Sequence, residues 1–278
     1  MKHNGYITSL VMSVILFGNT FAADSVQTSP KKQNISLKTR DSIEVGLQNY
    51  WYKYEEEVND AFFMSNTGYK YGFSATGIKT IGHDYYLIAD ARYATGDVEY
   101  KSASGTGNVA DKMYELRVLA GNEAMVNNYL LSSYIGVGYR RLDNDLRDLG
   151  AGGYRRTSQY LYIPIGVTHR FALSNISRIS SNIEYDYFAW GEQKSYLSDV
   201  SAAHAAVFGD PVNQQKHGYG LRFNSAYEQE HWSVGIFFNY WNIGDSEKNY
   251  YFASPLLYSI MEPKNETKEI GLQLKYRF

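Results

Sequence analysis

Charged and hydroxyl-bearing side chains set the range of chemistry open to this chain. Asp143 and Asp145 stand one residue apart, and Asp199, His204 and Asp210 fall in one later segment. A carboxylate pair or an Asp–His pair can activate a water when both groups reach it within hydrogen-bond distance. A second set lies in strictly alternating stretches. Asp90, Arg92, Glu115, Arg117, Glu184, Asp186 and Arg222 each sit between apolar neighbours, and Arg140 follows Tyr139. Opposite charges on one enclosed face pair with one another or line a polar channel. His83, His169, His217 and His231 show no metal-ligand spacing. Asp143, Asp145 and Asp148 lack the remaining positions of a calcium loop. No cofactor is expected.

The elements that carry these residues repeat with period two. Tyr85, Leu87, Ala89, Ala91 and Tyr93 alternate with Tyr86, Ile88, Asp90 and Arg92. Equivalent rows begin at Tyr114, Tyr129, Leu161, Ile179, Tyr219 and Trp232, and the last is Ile270, Leu272, Leu274, Tyr276 and Phe278. Successive strand side chains point to opposite faces, so each segment has one apolar and one polar face. Two less regular segments, near 42–54 and 67–78, complete about ten strands. The apolar rows end in aromatics: Tyr85 and Tyr93, Tyr129 and Tyr139, Tyr219 and Tyr227, Trp232 and Tyr240. Eight strand residues tilted by about 40° rise roughly 20 Å, close to the apolar band of a membrane barrel with its aromatic girdles. Short links (79–84, 121–128, 172–178, 229–231) alternate with long ones (55–66, 98–111, 141–156, 191–216, 244–265). That asymmetry fits periplasmic turns and outer loops. The fold class is therefore all-β: a transmembrane antiparallel barrel of about ten strands, with eight or twelve as alternatives.

Composition is consistent with this. The 278 residues include 27 Tyr and no Cys, with a formal net charge of −2. The charge balance argues against nucleic acid as a partner, and zero Cys excludes disulfides and thiolate chemistry. Residues 1–22 carry Lys2, an apolar stretch and small residues, the pattern of a cleaved secretory signal. Residues 23–41 read as a flexible periplasmic arm, and 42–278 as the barrel. Export and barrel together place the protein in the outer membrane, against lipid and lipopolysaccharide.

The leader, the alternation and the final Leu-Lys-Tyr-Arg-Phe resemble Gram-negative outer-membrane β-barrel proteins. That resemblance implies that Ile270, Leu272, Leu274, Tyr276 and Phe278 form the signal read by the barrel-assembly machinery. Ten strands with five long loops also resemble the omptin proteases. Their Asp pair in the second loop and Asp-x-His in the fourth have no counterpart here. Asp97, Glu99 and Asp111 lack the first spacing, and Asp199 stands five residues before His204. The expectation is a non-enzymatic, small porin-like or structural barrel. Its polar interior would be closed by charge pairing or would pass small solutes. The alternative is an adhesin or receptor binding a host surface ligand or phage through loops 141–156, 191–216 and 244–265, whose apolar residues include Phe208, Phe252 and Leu257. An omptin-like protease is third.

Overall fold

The computed structural model describes residues 35–253 and 255–278. The expected signal segment, 1–22, and arm residues 23–34 lie outside the described residues. Thirteen strands follow in chain order. They are β1 (Ser42–Val58), β2 (Ala61–Ile81), β3 (Tyr85–Ser102), β4 (Gly105–Val126), β5 (Tyr129–Asp145), β6 (Arg155–Ala172) and β7 (Arg178–Ser195), then β8 (Val212–Gln215), β9 (Gly218–Glu228), β10 (Trp232–Ile243), β11 (Asn249–Ala253), β12 (Leu256–Ile260) and β13 (Lys264–Arg277). One short helix, α1 (Ala202–Phe208), precedes β8.

Ten of these strands form one closed antiparallel barrel. Each pairs with its neighbour in sequence, β7 passing over the short β8 to β9 and β10 over the β11–β12 hairpin to β13. β13 returns to β1, in register from Glu44↔Arg277 to Glu57↔Lys264. Closure leaves no unpaired strand edge, which lipid requires. The ten-strand count holds, and eight and twelve are set aside. β8 extends the β7 edge above the barrel, and β11–β12 is a separate hairpin.

The apolar rows face outward. Val118 is 61% exposed, Leu272 60% and Ile183 68%, with no protein against them. Their polar counterparts point into the lumen. In the narrow interior several rings find room over a glycine on the neighbouring strand. Tyr162 lies over Gly138, its cross-strand partner, where a Cβ would stand 2.2 Å from the ring. Tyr134 covers Gly166 in the same way.

The outer links are shorter than the sequence pattern implies. Link 55–66 reduces to a turn at Asn59 and Asp60, both at positive φ, and link 98–111 to a turn at Ala103–Ser104. The reason is a reversal of phase. Above Trp51, outward positions become Lys53, Glu55 and Glu57, while Tyr52, Tyr54 and Glu56 are buried inside. On β3, Asp97 and Glu99 point out and Val98 points in. Once the strands leave lipid, water lies outside and the packed interior holds the apolar groups. Alternation continues, but with inverted polarity, and reads as a loop.

The arm is less free than expected over residues 35–41. Thr39 N donates to both Glu123 carboxylate oxygens at 3.2 and 3.1 Å, and Arg178 donates to Ser36 O. Arg170 Nη1 donates to Thr39 Oγ1 at 3.0 Å. Residues 35–41 therefore form a strap fastened to inward side chains at the short-turn end of the barrel.

Candidate functional site: the barrel lumen

All eight charges singled out from the sequence face the lumen, and they join in one chain of ion pairs. Arg117 links Asp90 (3.3 Å) to Glu184 (2.8 Å). Arg222 links Glu184 (3.1 Å) and Asp186 (2.6 Å) to Glu115 (2.6 Å). Arg92 carries the chain from Glu115 (2.9 Å) to Glu269 (3.3 Å), and Arg140 ends it on Glu269 at 2.7 Å. The cross-strand register places these groups: Asp90 opposes Arg117, Arg92 opposes Glu115, and Glu184 opposes Arg222. Other links span the lumen, since Glu115 on β4 meets Arg222 on β9. Tyr162 OH donates to Glu115 at 2.8 Å and Tyr134 OH to Glu184 at 2.5 Å. Asn239 Nδ2 donates to Glu269 at 2.7 Å. Glu269 belongs in the same chain; its place opposite the Ile270 row was the available signal.

Aromatic rings are interleaved with the charges. Tyr50, Tyr160, Tyr162, Phe237 and Trp241 are all buried. Trp241 stacks with Tyr160 at 6.4 Å and meets Tyr162 edge-on at 5.0 Å, while Phe237 meets Tyr50 at 5.6 Å. The guanidinium groups of Arg140 and Arg222 each lie 5.5 Å from the Trp241 ring, so rings and charges pack as one unit. Beside them, Lys70 Nζ meets Asp111 at 2.5 Å and sits 3.6 Å over the Tyr52 ring. Tyr50 and Tyr52 were not legible as lumen residues, because the phase of the first strand was ambiguous at Asn49 and Tyr50.

A third group stands at the outer mouth and was not anticipated. Arg156 bridges Glu56 and Glu262, the latter at 2.7 Å, and Tyr54 OH donates to both carboxylates. Gln193 donates to Glu262 at 2.6 Å. Burial, with Glu56 close by, holds the Glu262 carboxyl well above the usual range despite Arg156. These groups floor a cavity of about 590 Å³ whose walls include Phe63, Leu146, Leu149 and Ile260.

The loop acids are held one by one. Arg141 Nε donates to Asp143 at 2.9 Å, and Arg147 pairs with Asp145 at 2.7 Å. Arg155 takes Asp199 through two bonds of 2.8 and 2.9 Å and pulls its carboxyl below the usual range. His204 Nδ1 lies 2.8 Å from Ser201 Oγ at the start of α1. Among the described residues no group of three His, Cys, Asp or Glu is placed to hold a metal.

The girdle residues form two outward belts. Tyr93, Tyr139, Tyr219 and Tyr240 lie at the upper edge, with Tyr93 5.1 Å from Tyr114 and Tyr219 6.0 Å from Tyr240. Tyr85, Tyr129, Tyr227 and Trp232 lie at the lower edge, with Tyr227 and Trp232 5.6 Å apart and Tyr129 5.0 Å from His169. Ile270, Leu272, Leu274, Tyr276 and Phe278 share the lipid-facing side of β13.

Comparison with known proteins agrees with this architecture. No protein-family model matches the chain, and no curated protein matches it. Among solved structures, outer membrane protease OmpT from Escherichia coli aligns over 87% of this chain and 100% of that one, with a TM-score of 0.50 and 12% identity. The NalP autotransporter translocator domain from Neisseria meningitidis aligns over 86% of this chain and 90% of that one (TM-score 0.41, 11% identity). Ail, the attachment invasion locus protein of Yersinia pestis, aligns over 86% and 100% (TM-score 0.32, 10% identity). At these identities the likeness concerns fold. The chain is a closed ten-stranded antiparallel β-barrel, similar to OmpT in fold.

Proposed function

We propose that the protein is a non-enzymatic outer-membrane barrel whose lumen is closed, and that its work is done at the extracellular rim. The observation that carries this is the packing of charges and rings across the lumen. The Asp90-to-Arg140 ion chain is interleaved with the Trp241, Tyr160, Tyr162 and Phe237 rings. Removing one partner of such a buried pair leaves an uncompensated charge, so solute passage by breaking the chain is costly. Non-enzymatic action is supported by the one-to-one pairing of Asp143, Asp145 and Asp199 with arginines. The lipid-facing β13 row ending at Phe278 is suited to docking on the barrel-assembly machinery, and the two belts to lipid and lipopolysaccharide. Liposomes containing refolded protein should not swell in isotonic small sugars. Swelling comparable to that of an open porin would overturn the closed lumen.

A second reading has its own observation. The β11–β12 hairpin packs Tyr251 and Tyr258 on Phe208 of α1, at 5.7 and 5.4 Å. Its other side leaves Phe252 71% and Leu257 67% exposed. Exposed apolar patches on a supported element mark interaction sites, which supports adhesion or ligand capture. Replacing Phe252 and Leu257 by Ser should reduce adhesion of displaying cells. Unchanged adhesion at equal surface display would remove this reading.

A further inference from the structure

The periplasmic end of the lumen holds a feature that neither closure nor rim binding uses. Beneath the ion chain lies a cavity of about 180 Å³, room for roughly six waters at about 30 Å³ each. Arg117, Arg170, Arg178, Lys275 and Arg277 line its wall, and Lys38 and Arg40 of the strap line its floor. Against them stand three lining carboxylates, Glu44, Asp90 and Glu228, while Lys38 and Arg40 pair with Asp84 and Glu230 just outside the lining.

Those carboxylates are already engaged. Asp90 accepts from Thr76 at 2.7 Å and Arg117 at 3.3 Å. Glu228 accepts from Arg178 at 2.6 Å and Arg277 at 3.4 Å, and Glu44 accepts from Arg277 at 2.7 Å. Donors remain. The nearest carboxylate oxygen to Lys275 Nζ is 3.8 Å away, beyond hydrogen-bond distance. Arg170 lies 3.5 Å from Glu123, and its buried Nε has no acceptor. A concave, low-dielectric wall with surplus donors of one sign concentrates counter-ions.

We propose that this vestibule binds a small dianion of the phosphate class, held between Lys275 and Arg170 and covered from below by the strap. Guanidinium and ammonium groups bind phosphate oxygens through short, charge-assisted bonds. The ligand is a free ion rather than a lipid headgroup. The cavity is inside the wall, and lipid lies outside it. Arg170 also donates to Thr39, so a bound anion links wall and strap and holds the strap in place.

The test is calorimetry of the refolded full chain in detergent, titrated with inorganic phosphate at constant ionic strength. The expected result is saturable one-to-one binding, weakened about tenfold by Lys275→Gln and by Arg170→Gln. Lys53→Gln, on the outward collar, should bind as the unaltered chain does. Phosphate should also slow hydrogen exchange of amides 36–40 severalfold. Lys275→Gln removes no hydrogen bond of the fold and keeps the test valid if Arg170→Gln misfolds. Absence of saturable binding, or equal affinity in Lys275→Gln, would overturn the site. Equal affinity for acetate would overturn the dianion assignment.

Discussion

Single side chains in the lumen are coupled through shared arginines. Arg222 touches Glu115, Glu184 and Asp186 at once. Replacing it by Ala leaves these carboxylates short of a partner, and a loss of about 3–5 kcal/mol is expected. The urea midpoint of the refolded protein in liposomes reads it, and a change within error would show that the chain contributes little. Glu262 behaves differently. Its carboxyl is held protonated at pH values where the unfolded chain has lost that proton, so the folded state binds more protons. Stability therefore falls as pH rises above the ordinary glutamate range of about 4.3. Glu262→Gln keeps the neutral form, so its stability relative to the unaltered protein should grow from pH 5 to pH 8. An equal difference at both pH values would show that Glu262 is ionised. Most of the lumen charges were legible because each interrupts an apolar alternation. Glu56, Arg156 and Glu262 were not, because they stand where that alternation has inverted and the flanking sequence reads as loop.

Strands and turns set where those side chains meet. Tyr162 reaches Glu115 and Arg222 only because Gly138 leaves space beneath its ring. Gly138→Ala should displace the ring and cost about 1–3 kcal/mol, and Tyr162→Ala in the same chain should recover part of that. Additive losses in the double variant would show that the two sites do not interact. The barrel strands were legible wherever lipid lies on one side, as in the Tyr85–Tyr93 and Trp232–Tyr240 rows. Turn lengths outside were not. Lys53, Glu55 and Glu57 on the outer surface resemble a solvated loop, although they continue β1 in register with β13. The strap was read as flexible because 35–41 lacks periodicity, and its hydrogen bonds go to distant side chains such as Glu123 and Arg178 that local pattern cannot show.

At the scale of the whole molecule, ten strands closed by β1 and β13 put both barrel ends at one side of the membrane. The barrel class was legible at this scale, with eight and twelve strands as alternatives to ten, because alternation and unequal links are written in short-range pattern, whereas the β1–β13 closure is a long-range pairing. Whether the lumen was open was not legible, since alternation tells which residues face inward but not how their side chains pack. Protease added to intact cells should cut within 141–156 or 191–216 and spare the strap; cleavage near residues 35–41 alone would invert the topology. The central claim, a closed lumen, is tested most directly by single-channel recording of refolded protein in a planar bilayer. The structure predicts insertion without resolved conductance steps, and steps appearing when Tyr160, Tyr162 and Trp241 are all replaced by Ala. Regular conductance steps from the unaltered protein would contradict it.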